Sequence, residues 1–493
     1  MTAVRTPGSS TEYRLLIGGE LVTTGPTFEV LDPATEEVVG LAPEADAGSA
    51  EEAAAAAAAA FDGWSRTAPE ERAAILERAA DLVAQRRDEL ADLAQRESGC
   101  TVAVARNMHV AGAIDRLRRY ARGALEPTIT PIVPQVPPRT SPNAAGGLVG
   151  ALAMRRPVGV VACITPYNAP MPNTAGKVGA ALAMGNTVVI KPAAQDPLAV
   201  LRLAEILREA GAPAGVVNVV TESGTVAAEA LVASPHVDMV SFTGSTAVGQ
   251  RIAAVAAPAM KRLLLELGGK GNAIVFHDAD LQAAISGIAS TWTFYSGQIC
   301  TAPTRVLVHR SVHDELVARL AAAADSLAIG DPRDAATAVG PLVSGAQRDR
   351  VELAVAQAVA GGAELCTRGG RPDQRSGYYV RPALFAQVTA EMPVAAEEIF
   401  GPVVAVLAFD DEDEAVALAN STRYGLYDYV YSANTARALD VSGRLRTGGV
   451  GINTIQRNAE APFGGVKLSG VGRDGGSYAL AAYSELQGVV YPA

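Results

Sequence analysis

The sequence predicts an α/β protein: two doubly wound units joined to a small projecting β ribbon. Three observations predict it. From Pro157 onward, short β-branched runs alternate with helical stretches; the same texture restarts after Gly268; and six prolines between positions 127 and 142 interrupt any helix or central strand. At 493 residues the chain is also too long for a single core.

Taken in order, residues 12–30 alternate apolar and polar positions around the G-G of I-G-G-E, which predicts a short hairpin. Ser49 with Glu52 and Thr67 with Glu70 each spell a capping box. The first precedes the alanine run 53–60, and the second opens one long helix. Ile75, Leu76, Ala79, Leu82, Val83, Leu90 and Leu93 share a face of that helix, and Gly99 is placed to end it. The proline-rich excursion reads either as a disordered linker or as a ribbon packed on a second subunit. Ile129, Ile132, Val133 and Val136 alternate with its prolines. V-G-V-V-A-C-I, T-V-V-I, G-V-V-N-V-V and D-M-V-S-F then read as buried parallel strands, with helices near 174–184, 197–210 and 225–233. Beyond Gly268, N-A-I-V-F, R-V-L-V-H, A-E-L-C and V-V-A-V-L-A-F supply strands, and 314–327 and 344–360 supply helices.

Composition excludes several classes of function. A net charge of −11 and a pI near 5.1 argue against a nucleic-acid binder, which needs a basic face. Four cysteines (Cys100, Cys163, Cys300, Cys366) lie far apart with no C-x-x-C pair, which points away from a disulfide framework or zinc site and toward a reducing compartment. The five histidines form no metal motif; His309 and His313 are four apart but separated by a turn. The first ten residues lack the apolar core of a signal peptide, and no apolar run is long enough to span a membrane. The expectation is a cytoplasmic protein without metal, membrane or nucleic-acid partner.

Several positions carry chemistry. Cys300 lies in Y-S-G-Q-I-C-T-A-P-T-R (295–305), between small neighbours that keep a thiol reachable. It reads as a nucleophile or as a small buried hydrophobe. F-T-G-S-T-A-V-G (242–249) follows a strand and enters a helix, so Gly244 and Ser245 present backbone N–H groups suited to an anion; it is otherwise an ordinary turn. Lys191 ends the strand V-V-I-K, within reach of a ribose or phosphate or simply solvated. Glu266 ends L-L-L-E, where an apolar run makes a carboxylate costly unless it is paired or has a raised pKa. Asn168 in T-P-Y-N-A-P is an uncharged donor or a turn residue. E-E-I-F-G-P (397–402) sets two carboxylates before a turn, and A-P-F-G-G-V-K-L-S-G-V-G-R-D-G-G (461–476) has the glycine density of a loop close to a ligand or partner.

Seven of these strings stand together: T-P-Y-N-A-P, M-G-N-T-V-V-I-K-P, F-T-G-S-T-A-V-G, L-E-L-G-G-K, G-Q-I-C, E-E-I-F-G-P and P-F-G-G-V-K-L-S-G. In this order they resemble the NAD(P)-dependent, non-acylating enzymes of the aldehyde dehydrogenase superfamily, from about residue 13 onward. The resemblance implies two Rossmann-like domains and an oligomerisation ribbon. Residues 11–125 and 148–267 would bind the dinucleotide, 268–466 would carry the nucleophile, and 126–147 with 467–493 would form ribbon and tail.

It implies roles as well. Cys300 matches the nucleophile, Glu266 the general base and Asn168 the side-chain donor of the oxyanion hole. Thr165, Pro166, Tyr167, Lys191, Ala194, Gly224, Phe242, Thr243, Gly244, Ser245, Gly249, Leu267, Gly268, Glu398 and Phe400 match cofactor-binding positions. Among them Lys191 matches a ribose contact, Gly244 and Ser245 a pyrophosphate contact, Glu398 a nicotinamide-ribose ligand and Phe400 the residue beside the nicotinamide ring. Tyr167, Met171, Trp292, Phe294, Ile299, Thr301, Arg457 and Phe463 match a substrate tunnel. A homodimer or homotetramer follows from the ribbon and the tail near 483–490.

The implied chemistry is attack by Cys300 on an aldehyde, hydride loss to the cofactor, and hydrolysis of the resulting acyl-thioester by water that Glu266 activates. That sequence expects a thiol already partly ionised near neutral pH. Two departures bear on the cofactor. The position three beyond Lys191, often a glutamate that holds the adenosine ribose, is Ala194, which leaves NADP open; Glu222, where the family often has glycine, is the candidate replacement and favours NAD. The tunnel residues favour a hydrophobic aldehyde, with a carboxylate-bearing semialdehyde at Arg457 as the alternative. A CoA-acylating or phosphorylating relative is disfavoured by Glu266, and a catalytically silent one by the intact Cys300, Glu266 and Asn168.

Overall fold

Runs such as Val160–Ile164 and Thr187–Lys191 are apolar on both faces, and such strands are stable only with helices covering each side of their sheet. The computed structural model describes residues 12–139, 141–143, 146–373 and 376–492. The stretch read as lacking a signal peptide, the domain start at 11, ribbon positions 140, 144 and 145, and tail residue 493 lie outside the described residues.

The first sheet has the order Gly470–Val471, Arg262–Glu266, Met239–Thr243, Val160–Ile164, Thr187–Lys191, Val217–Val219, Leu15–Ile17, Glu20–Val22. Its five central strands, from Arg262–Glu266 through Val217–Val219, are parallel. The chain starts at Val160–Ile164, winds outward to Val217–Val219, then returns to Met239–Thr243 on the other side. That reversal opens a crevice beyond the carboxyl ends of Val160–Ile164 and Met239–Thr243, where doubly wound sheets bind ligands. The helix Ala47–Ser65 covers one face, and its buried Ala50, Ala53, Ala54 and Ala57 allow close approach to the sheet. The helices Pro69–Gln85, Ala111–Gly123, Pro170–Ala183 and Leu198–Glu209 form the core on the other face.

The second sheet runs Glu364–Leu365, Ala383–Ala386, Val403–Phe409, Arg305–His309, Asn272–Val275, Tyr427–Tyr431, Gly449–Ile452, parallel except at its first strand. A third sheet pairs Ser484–Pro492, Val149–Pro157 and Ile129–Gln135, all antiparallel. The proline-rich excursion is thus a strand rather than a linker. Every residue of Ile129–Gln135 is exposed, Val133 to 80%.

Four expectations need correction. Asp46, not Ser49, caps the first helix: its carboxylate lies upstream on extended backbone and accepts from the Ser49 N–H at 2.8 Å. The next helix begins at Pro69, which has no N–H to leave unpaired at a first turn, and Thr67 donates its hydroxyl to the Gly63 carbonyl at 3.3 Å instead of capping. The single long helix is two, Pro69–Gln85 and Arg87–Ser98, broken at Arg86; Gly99 does end the second, at φ +69. The domain boundaries also shift. Val149–Pro157 belongs to the ribbon sheet, whereas Gly470–Val471 joins the first sheet and Leu480 of Gly476–Ala482 packs on Gly123. Gly470 permits that pairing because a Cβ there would lie 1.9 Å from the Leu265 carbonyl oxygen.

Candidate active site

Glu266 ends its strand at the carboxyl edge of the first sheet, and Gly268 and Gly269 carry the chain straight to the amino edge of the second. The nucleophile loop arrives at that same amino edge, just before Arg305–His309. The two cysteine-loop and glycine segments touch: a Cβ on Gly269 would stand 2.5 Å from the Cys300 carbonyl oxygen.

The loop reaches Cys300 through three consecutive left-handed residues, Tyr295 (φ +49), Ser296 (φ +56) and Gly297 (φ +73). Such backbone persists only when its surroundings hold it. Here Tyr295 donates its hydroxyl to the Ser98 carbonyl at 3.2 Å and Ser296 donates to the Gly340 carbonyl at 2.7 Å. Gln298 accepts from the Val343 N–H at 3.0 Å, and Asn168 Nδ2 donates to the Gln298 carbonyl at 2.8 Å. Asn168 therefore spends one N–H on orienting the loop and keeps a second for a ligand.

Cys300 is half-buried. Burial pushes its thiol up to about 12, with the Arg457 guanidinium opposing and Glu398 and Glu266 adding to the rise. Burial thus works against the expected partly ionised thiol, and a base that takes its proton would assist attack. Glu266 is 5% exposed, and neither carboxylate oxygen has a hydrogen-bond partner among the described residues. Burial first, then Asp474, raise its pKa well above the usual carboxylate range, against Lys177, Arg473 and Arg116.

The crevice of the first sheet brings the expected cofactor residues together. Thr165 donates its N–H to the Lys191 carbonyl at 3.0 Å, which ties the two strand ends. Lys191 Nζ lies 3.5 Å from Glu222 Oε1, and burial lowers the lysine's pKa against that carboxylate. Ser245 caps the helix Thr246–Ala256, and Thr243 Oγ1 beside it is buried without a partner. The Phe242 ring sits against Gly244 and Leu267 against Gly249, each where a Cβ would intrude at 2.5 Å. Glu398 accepts from the Gly269 N–H at 3.0 Å and faces Gly268; burial raises it to about 7. Tyr167 and Phe400 meet edge to face at 5.8 Å. Pro166 and Ala194 are half-buried, and Gly224 is exposed. An orphaned hydroxyl at Thr243, a helix N-terminus beside it and an edge-to-face aromatic pair fit a dinucleotide.

The expected tunnel is brought together only in part. Ile299 and Phe463 are half-buried and Phe294 is exposed. Met171 and Trp292 are fully buried in the two apolar cores, so they do not line an open tunnel; apolar identity alone does not say which void a side chain fills. Thr301 is buried too, its carbonyl accepting from the Tyr429 hydroxyl at 3.1 Å. Arg457 lies over the Phe463 ring, 5.3 Å from its centroid.

Sequence reading missed Gln298, Lys177, Asp474, Arg116 and Glu44. Lys177 donates to Ser241 Oγ at 2.9 Å, and Ser241 in turn pairs with the Tyr483 hydroxyl at 2.7 Å. A lysine amid the small residues of A-G-K-V-G-A was the available signal; the others carried none.

The aldehyde dehydrogenase family model matches residues 22–489. The betaine aldehyde dehydrogenase of Rhizobium etli is 41% identical over 482 residues, covering 96% of each chain. The 3-succinoylsemialdehyde-pyridine dehydrogenase of a Pseudomonas species is 39% identical over 94% of each. Among solved structures, the NAD+ complex of an aldehyde dehydrogenase from Bacillus cereus superposes with a TM-score of 0.91 at 39% identity, covering 98% of this chain and 96% of that one. With its glycine bridge, reachable thiol and unpartnered carboxylate in this arrangement, the chain belongs to the aldehyde dehydrogenase family.

Proposed function

We propose that this protein oxidises an aldehyde to its carboxylic acid with NAD, through a thiohemiacetal and then an acyl-thioester on Cys300. The observation that carries the proposal is Glu266: a buried carboxylate with neither oxygen partnered, placed so that its charge acts on the Cys300 thiol. A thiol whose pKa burial raises is helped by a proton acceptor during attack, and a carboxylate with a raised pKa is the better base near neutral pH. The Cys300 sulfur bonds the aldehyde carbon as its proton passes to Glu266, and Asn168 Nδ2 donates to the oxyanion that forms. NAD or NADP, when bound, supplies the hydride acceptor. Glu266 gives its first proton up to solvent and then takes one from water, whose oxygen attacks the thioester; the acid leaves, and the proton on Glu266 returns to the Cys300 sulfur. That second use of Glu266 favours hydrolysis over transfer to CoA or phosphate.

Two acidic residues support NAD over NADP. Glu222 faces Lys191 and accepts from the Ala227 and Ala228 N–H groups at 2.7 and 2.9 Å. Glu44 accepts from the Ser223 N–H at 3.0 Å in the same loop. An added 2′-phosphate would meet both negative charges. The exposed apolar ribbon supports a homodimer or homotetramer.

The test is absorbance of reduced nicotinamide on mixing protein, aldehyde and NAD, with acid rather than acyl-CoA as product when CoA is added. Cys300→Ala is expected to abolish turnover while retaining cofactor affinity; turnover in that variant would sink the assignment.

A further inference from the structure

We propose that Gln298 is a positioning residue for the oxidation: its side chain fixes the backbone carbonyl that aims the Asn168 amide at the oxyanion. This rests on aldehyde oxidation at Cys300 and adds to that reaction a residue with no exposed surface of its own.

Asn168 can serve an oxyanion only if its amide presents nitrogen rather than oxygen. Which way a carboxamide turns is set by its partners, because the NH2 end donates and the oxygen accepts. The Gln298 carbonyl accepts from Asn168 Nδ2 at 2.8 Å. It therefore holds the nitrogen on the side of the nucleophile loop; with the amide reversed, two carbonyl oxygens would face each other. The two N–H bonds of a planar amide diverge at a fixed angle, so holding one at Gln298 also directs the other. That aim is as steady as the Gln298 carbonyl, and no steadier.

The carbonyl follows the left-handed residues Tyr295 to Gly297, and such backbone needs outside support. The Gln298 side chain supplies it from both ends of its amide. Nε2 donates to the Tyr295 carbonyl at 3.2 Å, and Oε1 accepts from the Val343 N–H at 3.0 Å. The first bond closes the turn on itself, beside the Gln298 N–H that reaches the same carbonyl at 3.1 Å. The second fastens the turn to a distant part of the chain. Val343 is a firm anchor: it is buried, the Leu342 N–H before it donates to the Tyr378 carbonyl at 3.0 Å, and the helix Gly345–Ala360 begins just after it. Ser296 reaches the same segment through the Gly340 carbonyl. Movement toward Gly401 is blocked, since a Cβ on Gly297 would lie 2.3 Å from the Gly401 carbonyl oxygen. Packing alone would be served by methionine or leucine, whereas a buried amide is costly unless its bonds are made.

The test uses Gln298→Met, which keeps the length of the side chain and removes both bonds. The substrate is whichever of propanal, hexanal and benzaldehyde the wild type oxidises fastest. kcat should fall about tenfold to hundredfold, with KM for NAD within about twofold of wild type. Further readouts separate positioning from a merely structural role. Asn168→Ala should cost about 10²–10³-fold, and the double variant should be no slower than Asn168→Ala, because the glutamine acts through that amide. Alkylation of Cys300 by iodoacetamide builds no oxyanion, so its rate should be unchanged in Gln298→Met. Gln298→Glu at about pH 6, where a buried carboxyl stays protonated and makes both bonds, should recover most of the lost kcat. Gln298→Asn, too short to reach Val343, takes the place of the methionine variant if that protein does not fold. Losses that multiply in the double variant, alkylation that slows in step with kcat, a Gln298→Glu protein no faster than Gln298→Met, or wild-type kcat in folded Gln298→Met would each overturn the proposal while leaving aldehyde oxidation standing. Oxidation of none of these aldehydes by the wild type would overturn the underlying function instead.

Discussion

Replacing Gly269 by alanine would test whether the glycine bridge sets the position of the nucleophile. A Cβ at 269 would lie 2.5 Å from the Cys300 carbonyl oxygen, where ordinary contact starts at 3.4 Å, so the two segments must part by 3.4 − 2.5 = 0.9 Å. Movement the other way is opposed by Leu426, whose Cβ would already be 3.3 Å off. The Gly269 N–H is also tied to Glu398, and the cysteine loop to Asn168 through the Gln298 carbonyl. The displacement therefore falls on Cys300. A misplacement of about 1 Å costs on the order of a hundredfold in rate, whereas the overpacking itself costs about 1–3 kcal/mol of stability. Gly269→Ala should accordingly drop kcat about a hundredfold in a protein that still melts cooperatively, only several degrees lower. Gly63→Ala is the control, since its Cβ would meet nothing within 4 Å, and kcat should stay at the wild-type value. The assay is steady-state release of reduced cofactor, with circular dichroism for folding. A folded Gly269→Ala protein with wild-type kcat would refute the reasoning, because the bridge would then yield without moving the thiol.

The role of Glu266 is open to a similar dissection. Glu266→Gln cannot take a proton, so the rapid burst of reduced cofactor and the later steady state should both slow, by about 10²–10⁴-fold for a general base. In the wild type, activity should rise with pH through a pKa above the usual carboxylate range, because the base works only when ionised and burial raises its pKa; that limb should vanish in Glu266→Gln. A full-rate burst with a slow steady state alone would restrict Glu266 to activating water. Light scattering should return the mass of a dimer or tetramer, since Ile132, Val133 and Val136 at one edge of the ribbon sheet and Leu486 and Val490 at its opposite edge are exposed. A monomeric mass would count against assembly through that sheet.

The parallel strands were legible in the sequence because burial on both faces demands continuous β-branched runs, as in Thr187–Lys191 and Met239–Thr243. Cys300, Glu266 and Asn168 were legible because each belongs to a local string that places it at a strand end or in a tight turn. Helix starts were less so. The choice between Asp46 and Ser49 depends on which side chain reaches a free N–H, a matter of backbone angle that both sequences of events permit. Only the tertiary structure decided which apolar residues face the site: Met171 and Trp292 have tunnel-like chemistry but fill cores. It alone decided that the second sheet offers its amino edge to the first sheet's carboxyl edge. The charge balance at Cys300 was likewise beyond the sequence. Burial raises the thiol, Arg457 opposes that rise, and Arg116 acts on Glu266 from a helix 150 positions earlier. Desolvation and Coulomb interactions depend on distance in space, and the separation of residues along a chain does not report it.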